Sequence, residues 1–281
     1  MLRIAVPNKG ILSAPATAML REAGYQQRPD DHELVCRDPD NDVEFLYLRP
    51  RDIATYVGSG DLDLGITGRD LLIDAGSPAE EVLDLGFGGA TFRFAARPET
   101  VAGIEELVGR RIATAYPGVV TKHLAERGVT ADVIRLDGAV ENAVRLGVAD
   151  VIADVVSTGA TLRQAGLTPV GEPILESSAI LIRRAAAPAD GTVAQLVRRL
   201  QGVLVARRYV MLAYDVHADR LDAACALTPG IEGPTISPLH REGWVAVQAM
   251  VARAEVHKTM DELYDLGARA ILVTDIHACR L

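Results

Sequence analysis

Short apolar runs alternate with amphipathic segments along most of the chain. Apolar runs bounded by Gly, Pro, Asn or Asp predict buried strands, whereas apolar positions that recur every three or four residues predict helices. Strands alternating with helices indicate α/β units built on largely parallel sheets. By these criteria strands are predicted at 3–7, 33–37, 43–49, 62–66, 111–116, 132–136 and 151–156, and helices at 16–23, 52–57, 119–127 and 139–146.

A partial internal repeat predicts two related lobes. The run GSGDLDLGITGRD from Gly58 partly mirrors the later RLGVADVIADVVSTGAT, since each has a glycine near a helix end, an apolar strand and a T-G turn that opens a helix. Extended segments at 83–97 and 173–184 fit two crossings between lobes that face each other across a cleft. The matching stretch is short, and chance similarity is the alternative.

The last part of the chain has a different rhythm. After a predicted helix at 193–207, elements follow in the order βαββαβ between 209 and 276, which is the ferredoxin-like split motif. The predicted domains are a first lobe at 1–90 plus 180–207, a second lobe at 91–179 and a small domain at 208–281. No nucleophile and base pair stands out in the small domain, which fits a role in regulation or assembly.

Composition narrows the function classes. The chain has 281 residues, 49% of them hydrophobic and 24% charged, and its net charge is −9. This charge disfavours a nucleic acid partner, so any polyphosphate substrate must be held by local cations and oriented amides. Nothing resembles a signal peptide or a membrane span, which predicts a cytoplasmic protein. The three cysteines and six histidines have no metal-ligand spacing.

The stretch DVIADVVSTGATLRQAG from Asp150 is the strongest candidate for chemistry. It predicts a buried strand interrupted by Asp154, a turn of small residues and a helix start. Such a turn can present backbone N–H groups and hydroxyls to one phosphate, although the spacing matches neither a Walker loop nor a dinucleotide fingerprint. The alternative is that the turn only caps a helix. The turn consists of Ser157, Thr158, Gly159, Ala160 and Thr161.

Three further side chains follow predicted strands, at the edge where α/β sheets bind ligands. Lys9 follows the first strand, Arg49 ends the third beside Pro50, and Tyr116 stands at the end of a strand in the second lobe. An arginine there can clamp a phosphate, and a tyrosine can offer its face to a purine. Ordinary surface positions are the alternative for all three.

Seven motifs taken together resemble the long form of the ATP phosphoribosyltransferase family, which carries a C-terminal regulatory domain. The resemblance covers nearly the whole chain, and it is the order of the motifs that is specific. The motifs are AVPNKG from Ala5, GDLDLGITG from Gly60, RIATAYP from Arg111, LDGAVE from Leu136, ADVVSTGATL from Ala153, TPGIEGPTISPL from Thr228 and GARAILVTDI from Gly267.

This resemblance implies the first step of histidine biosynthesis. N1 of ATP displaces pyrophosphate from C1′ of phosphoribosyl pyrophosphate (PRPP), with Mg²⁺ accompanying the phosphates. It also implies an α/β fold of two periplasmic-binding-protein-like lobes around a cleft, plus a ferredoxin-like (ACT-like) domain that binds histidine as inhibitor. AMP is a second inhibitor to expect, and the implied assembly is a homo-oligomer, from dimer to hexamer.

The resemblance also assigns roles to residues. Asp154 would hold the ribose hydroxyls, residues 157–161 the 5′-phosphate, and Lys9 and Arg49 the pyrophosphate oxygens, while Asp70 and Tyr116 would border the nucleotide. Many phosphoribosyltransferases have a second acid before the aspartate, where this chain has Ala153. The protein ligands of the metal ion therefore stay open.

For the effector site, a free amino acid needs a carboxylate for its ammonium group and donors for its own carboxylate. The alternative is that Asp215 is a surface acid and Thr235 a residue of a sheet edge. The predicted effector residues are Asp215, Ile231, Thr235, Ser237, Ala270 and Leu272.

Two other classes of protein fit parts of the pattern. A non-catalytic two-lobed protein could bind a phosphorylated metabolite and signal through its small domain. A short-form enzyme would depend on a separate partner subunit, but the βαββαβ extension argues against it.

Overall fold

The structure is a computed structural model that describes residues 1–30, 32–156, 159–185 and 191–280. The strands are β1 (Leu2–Pro7), β2 (Val35–Asp38), β3 (Val43–Leu48), β4 (Leu64–Gly68), β5 (Glu80–Asp84), β6 (Ala90–Ala96), β7 (Arg111–Thr114), β8 (Asp132–Arg135), β9 (Val151–Val156), β10 (Thr168–Ser177), β11 (Ala179–Arg183), β12 (Tyr209–His217), β13 (Thr235–Pro238), β14 (Trp244–Ala252) and β15 (Arg269–Asp275). The helices are α1 (Ser13–Glu22), α2 (Pro50–Ser59), α3 (Arg69–Asp74), α4 (Pro117–Ala125), α5 (Asn142–Arg145), α6 (Ala160–Gln164), α7 (Gly191–Arg208), α8 (Leu221–Leu227) and α9 (Val256–Leu266).

Contacts divide the chain into two units, Met1–Arg21 with Tyr25–Asp190 and Glu22–Gly24 with Gly191–Leu281. The predicted first lobe included 180–207. In the structure β11 lies in the first sheet, whereas α7 groups with the second unit. One reason is close packing, because a Cβ at Gly202 of α7 would overlap the carbonyl oxygen of Cys279. The domain boundaries themselves stay a prediction.

The first unit holds two sheets, one in each lobe. The first sheet has the order β2-β3-β1-β4-β11-β5, in which β1 runs parallel to β3 and β4 while β11 runs antiparallel to β4 and β5. Its central strands are fully buried because helices cover them; Ile4, Phe45 and Leu64 have no exposed surface.

The second sheet repeats the pattern of the first. Its order is β10-β6-β9-β7-β8, with β7 parallel to both β8 and β9, and β6 antiparallel to β9. If the edge strand β2 is set aside, the strands of both lobes follow as second, first, third, crossing strand and fourth, in the orders β3-β1-β4-β11-β5 and β8-β7-β9-β6-β10. This shared order confirms the two related α/β lobes that the sequence predicted.

Two short segments connect the lobes. The chain passes from β5 to β6 through 85–89 and returns from β10 to β11 at Ser178. The segments are hydrogen bonded to each other, since the Leu85 N–H donates to the Ala179 carbonyl at 2.9 Å and the Ala179 N–H donates to the Phe87 carbonyl at 2.9 Å. They form the pair of crossings predicted at 83–97 and 173–184.

The second unit contains the ferredoxin-like sheet. Its order is β13-β14-β12-β15 and every pairing is antiparallel, as a βαββαβ motif requires. Leu212, Tyr214 and Val216 of β12 alternate towards one face, where they pack in a core with Leu263 of α9. The fold class predicted from the sequence is thus confirmed. Among the described residues, no helix is long and apolar enough to cross a membrane.

One predicted helix is much shorter than expected. The sequence pattern favoured 139–146, but α5 covers only Asn142–Arg145. Gly138 and Ala139 have positive φ angles of 131° and 46°, which an α-helix cannot contain. The segment before α5 is therefore a loop, and it carries Glu141.

Candidate functional site

A cavity of about 430 Å³ lies between the two lobes of the first unit. The first lobe contributes the ends of its strands and the first turns of α2 and α3, which is where α/β folds place ligands. The second lobe contributes Ala90, Tyr116, Val155 and Ser177. Residues of the lining with polar or charged side chains are Lys9, Arg49, Arg51, Asp52, Asp70, Tyr116, Ser177 and Ser178.

The predicted cations Lys9 and Arg49 both line this cavity. Lys9 follows β1 and is exposed, and Gly10 beside it has a left-handed φ of 77° that turns the chain. Arg49 is the exposed residue directly before α2, with extended backbone angles that aim the chain into the helix at Pro50. The structure therefore brings the two cations together at one edge of the sheet.

Asp70 is held in place by its neighbours rather than by solvent. It is 8% exposed, its carboxylate accepts a hydrogen bond from the Ser177 hydroxyl at 2.8 Å, and its own N–H donates to that hydroxyl at 3.0 Å. A Cβ at Gly68 would overlap the Asp70 carboxylate, so the T-G turn needs glycine here. Gly68, the glycine of this turn, thus leaves room for the Asp70 carboxylate because it has no side chain.

Tyr116 joins this arrangement from the second lobe. Its ring packs edge-on against Phe92, with centroids 5.3 Å apart, and its hydroxyl lies near enough to Asp70 and Asp154 for both carboxylates to act on it. Burial, followed by the charges of Asp70 and Asp154, raises the pKa of the tyrosine hydroxyl. The hydroxyl is therefore a hydrogen-bond donor at neutral pH and not a base.

Asp154 lies in a smaller pocket of about 100 Å³ beside the main cavity. Val155 lines both spaces. Burial raises the pKa of the Asp154 carboxyl, and the charges of Glu141 and Asp70 add to the rise, while a hydrogen bond from the Val155 N–H at 2.7 Å opposes it. A cationic group or a pair of hydroxyl donors would relieve this concentration of negative charge.

The predicted phosphate turn is described only in part. Ser157 and Thr158 lie outside the described residues, as does the side chain of Ala160. Gly159 has a left-handed φ of 69° and precedes α6, and Thr161 is exposed in the first turn of that helix. Gly159 and Thr161 line the same small pocket as Asp154, as the motif predicts.

Sequence reasoning missed Arg51, Glu141 and Ser177. Arg51 lines the cavity two positions after Arg49, but the sequence offered no reason to prefer it to any other arginine in a first helical turn. Glu141 belongs to the LDGAVE motif, and its place beside Asp154 depends on the loop before α5. Ser177 could be found only from the crossing of the chain, which brings β10 against the T-G turn.

Among the described residues, no group of three or more His, Cys, Asp or Glu side chains is arranged to hold a metal ion. The carboxylates of Asp154 and Glu141 are a pair that faces one pocket. One or two carboxylates plus substrate phosphates are the usual environment of Mg²⁺ in phosphate chemistry. The donor set therefore fits an ion that is bound mainly by its substrate.

In the second unit, four of the predicted effector residues share one face of the sheet. Asp215 pairs with Ala246, which pairs with Ser237, while Leu272 pairs with Ala213 in the next row. Thr235 pairs with Gln248, which in turn pairs with Ala213. Directly paired residues lie on the same side of a sheet, and this side is opposite the helices.

The other two effector candidates lie beside these rows. Ala270 has a positive φ of 50°, where the pairing of β15 with β12 shifts its register. Ile231 is 39% exposed and precedes β13. Four of the six predicted positions thus share one face of the sheet, and Ala270 and Ile231 are near that face only in chain order.

The fold and the site define a two-lobed α/β protein with a cavity lined by Lys9, Arg49 and Arg51 between its lobes and with an added ferredoxin-like domain. The family model "HisG: ATP phosphoribosyltransferase" matches residues 49–202, and the model of the HisG C-terminal domain matches 206–278. The chain therefore belongs to the ATP phosphoribosyltransferase family, whose members are pentosyltransferases of histidine biosynthesis.

Relatives of similar length support this assignment. The chain is 71% identical to an ATP phosphoribosyltransferase of Salinispora tropica and 64% identical to one of Streptomyces avermitilis, and each alignment covers 100% of both chains. A structure of the ATP phosphoribosyl transferase (HisG:HisZ) complex from Thermotoga maritima aligns with a TM-score of 0.62 at 23% identity, covering 72% of this chain and 97% of that one. At that identity the structural likeness supports the fold.

Proposed function

We propose that the main cavity and the adjoining Asp154 pocket together bind ATP and PRPP, so that N1 of ATP attacks C1′ of PRPP and pyrophosphate leaves. The observation that carries this proposal is that cations of the first lobe and the carboxylates of Asp154 and Glu141 in the second lobe border two pockets that share Val155. Displacement at an anomeric carbon passes through an oxocarbenium-like state. It therefore needs alignment and charge stabilisation more than a strong base.

The Asp154 pocket is the proposed ribose site. Asp154 and Glu141 would accept hydrogen bonds from the ribose hydroxyls, and their charge would favour the positive charge that develops on the sugar. Glu141 would supply the second acid that is absent at Ala153. Residues 157–161 would hold the 5′-phosphate through backbone N–H groups and hydroxyls.

The leaving group is assigned to the first lobe. Lys9 and Arg49 would neutralise the pyrophosphate oxygens, since both cations line the cavity and both are exposed to a ligand. Mg²⁺ would enter on the phosphates and neutralise their charge, with Asp154 and Glu141 the nearest pair of protein carboxylates.

The nucleotide is assigned to the space between Asp70 and Tyr116. The tyrosine ring would border the adenine, and Asp70 would accept a hydrogen bond from its amino group. Since the adenine ring nitrogen is the nucleophile, the site has to orient it rather than deprotonate it.

The second unit is the proposed regulatory domain. Histidine would bind at the outer face of its sheet, with Asp215 receiving the ammonium group and Thr235 and Ser237 donating to the carboxylate. The neighbouring positions Ile231, Ala270 and Leu272 would line the effector site. We further propose inhibition by AMP, assembly into a dimer and hexamer, and a cytoplasmic location.

A direct assay tests the proposed reaction. The purified chain is mixed with ATP, PRPP and Mg²⁺, and the adenine adduct is followed by absorbance while released pyrophosphate is measured separately. Equal amounts of adduct and pyrophosphate are expected. Tight binding of both substrates without either product would favour the non-catalytic binding protein, and activity only after a second subunit is added would favour the short-form enzyme.

A further inference from the structure

Asp74, the last residue of α3, connects the two lobes beside the cavity. One oxygen of its carboxylate accepts a hydrogen bond from Nη1 of Arg51 in the first lobe at 2.7 Å. The other oxygen accepts from the N–H of Gly118 in the second lobe at 2.8 Å. The Asp74 side chain is only 8% exposed. A buried carboxylate with donors from both lobes is a specific contact and not a solvated surface charge.

The contact with the second lobe satisfies a helix end. Gly118 is the second residue of α4, and that helix has no side-chain hydrogen bond from its own N-cap residue, Tyr116. Asp74 thus takes the place of an N-cap side chain, and its negative charge lies at the positive end of the α4 dipole.

The two helices approach too closely for a side chain at position 118. A Cβ there would overlap the Asp74 carbonyl oxygen. Ile73, the residue before Asp74 in α3, packs against the apolar core of the second lobe. The end of α3 is therefore fixed to the second lobe by packing as well as by the carboxylate.

The contact with the first lobe reaches the cavity. The Arg51 guanidinium lies 5.0 Å from the centre of the Tyr116 ring, within the range of a cation–π interaction. Arg51 and Tyr116 both line the cavity, whereas Asp74 does not. The ion pair to Asp74 thus restricts a cation that itself contacts the aromatic ring proposed to border the nucleotide.

We infer that Asp74 is a positioning residue for phosphoribosyl transfer. By binding Arg51 and the first turn of α4 at the same time, it sets the place of Tyr116 relative to the cations of the first lobe. A misplacement of about 1 Å can cost about a hundredfold in rate, so this restraint is large enough to matter. The inference uses the nucleotide site proposed above, and its effect falls on ATP rather than on PRPP.

The first test is Asp74→Asn. Asparagine keeps an acceptor for the Gly118 N–H but removes the charge that holds Arg51. We expect kcat/KM for ATP to fall about tenfold or more. The PRPP dissociation constant, measured by calorimetry, should stay within about twofold of the parent, because neither Asp74 nor Arg51 is among the residues assigned to PRPP. Glu44→Gln is the matched control, since Glu44 pairs with Arg37 inside the first lobe alone and should leave both parameters unchanged.

A double-mutant cycle with Arg51→Met separates positioning from folding. If Asp74 acts through Arg51, the double variant is no worse for ATP than Arg51→Met alone. Additive effects would overturn the inference, as would parent-like ATP kinetics for Asp74→Asn or an equal loss of PRPP affinity. The melting temperature of each variant is measured alongside the cycle. A purely structural role predicts that the melting temperature falls and that kcat/KM for ATP and the affinity for PRPP fall with it.

Gly118→Ala tests the same contact from the other lobe. The added methyl group forces α4 away from α3, and we expect the same selective loss for ATP. Gly191→Ala is the control, because a Cβ there meets no atom of the described residues within 4 Å. An active Gly118→Ala variant with unchanged KM and kcat for ATP would contradict the proposed role of this joint.

Discussion

At the scale of single residues, the surroundings of Asp154 disfavour the ionised form of its carboxyl. Its carboxyl is partly buried and faces Glu141 and Asp70, so the fold favours the protonated form. A group kept in an unfavourable state without ligand is typical of a functional site. Substrate hydroxyls and the positive charge of the reacting sugar would both relieve the cost.

Asp154→Ala should lower turnover by at least about ten- to a hundredfold, because it removes a charge-assisted contact to the ribose. Initial rates at saturating ATP and PRPP measure this. Asp150→Ala serves as the matched control, since its carboxylate pairs with Arg111 just before the same strand. Turnover within twofold of the parent would reject the role assigned to Asp154.

Asp154→Asn should make the protein more stable at neutral pH. Because the pKa of this carboxyl is raised in the folded state, its favourable contribution exists below the ordinary value of about 4 and is lost as pH rises through the raised value. The neutral amide avoids that loss. Calorimetric melting temperatures should favour the variant at pH 8, with the difference shrinking below about pH 4. A variant less stable than the parent at pH 8 would contradict the sign.

Individual site residues were predictable where strand and turn signals coincide. Lys9, Arg49 and Tyr116 follow apolar runs, and the structure places all three in the cavity lining. Glu141 could not be found this way, since it reaches Asp154 only because Gly138 and Ala139 adopt positive φ angles and shorten the helix. Whether the assigned roles hold stays a prediction.

At the scale of elements, one side chain bridges the residues beside the hinge, which is the pair of segments at 85–89 and Ser178 that connects the lobes. Arg69 at the start of α3 pairs with Glu81 at 2.7 Å and Asp84 at 2.9 Å on β5, and it donates to the Ser178 hydroxyl at 3.1 Å. Burial opposes ionisation of Asp84, but hydrogen bonds from the Gly86 N–H, Arg69 and Ser178 hold the pKa of its carboxyl below the usual value. Both crossing segments therefore meet at this network.

Arg69→Met should loosen both crossings. We expect amide hydrogen exchange in residues 85–89 and at Ala179 to become about two- to fivefold faster, the effect of losing about 0.5–1 kcal/mol of local stability. Mass spectrometry of peptides from the two segments gives the rates. In Arg183→Met, which breaks a pair with Glu80 on the same sheet, exchange at the crossings should not change. If amide exchange at the crossings is equally fast in the parent, Arg69→Met and Arg183→Met, Arg69 does not stabilise the hinge.

The secondary structure was the most predictable part of the molecule. Buried strands such as β1 and β9 are short apolar runs, and the crossing strands were recognised as extended segments between units. Sheet order was less accessible, because the neighbours of β11 in the first sheet come from distant parts of the chain. The T-G turns were visible in the sequence, but the need for Gly68 came only from the Asp70 carboxylate that folds over it.

At the scale of the whole molecule, the chain joins a two-lobed α/β unit and a ferredoxin-like unit in one polypeptide. Four of the predicted effector residues lie on the outer face of the small sheet, opposite the face that packs against the helices. They are Asp215, Thr235, Ser237 and Leu272. A flat face with a carboxylate and two hydroxyls can recognise the charged groups of a free amino acid. The role of this face is a prediction of its own, separate from the catalytic assignments.

Asp215→Ala should weaken inhibition by L-histidine while leaving turnover in place, because the carboxylate proposed for the ammonium group lies in the second unit. Rates measured over a range of histidine concentrations, at fixed ATP and PRPP, give the inhibition constant. Asp275→Ala is the control, as Asp275 pairs with Arg253 and stands opposite Val210, on the other side of the sheet from the proposed face. An unchanged inhibition constant in Asp215→Ala would move the effector site elsewhere.

Two adjacent serines end the returning strand and give the molecule a further property. Ser177 donates to Asp70 in the cavity, and Ser178 donates at 2.7 Å to Asp84 on the hinge. Since consecutive residues of an extended chain cannot shift independently, a ligand that displaced the Asp70 carboxylate would also displace the peptide at Ser178, which connects the lobes. Substrate binding would then be coupled to the angle between the lobes through the peptide bond that joins Ser177 and Ser178.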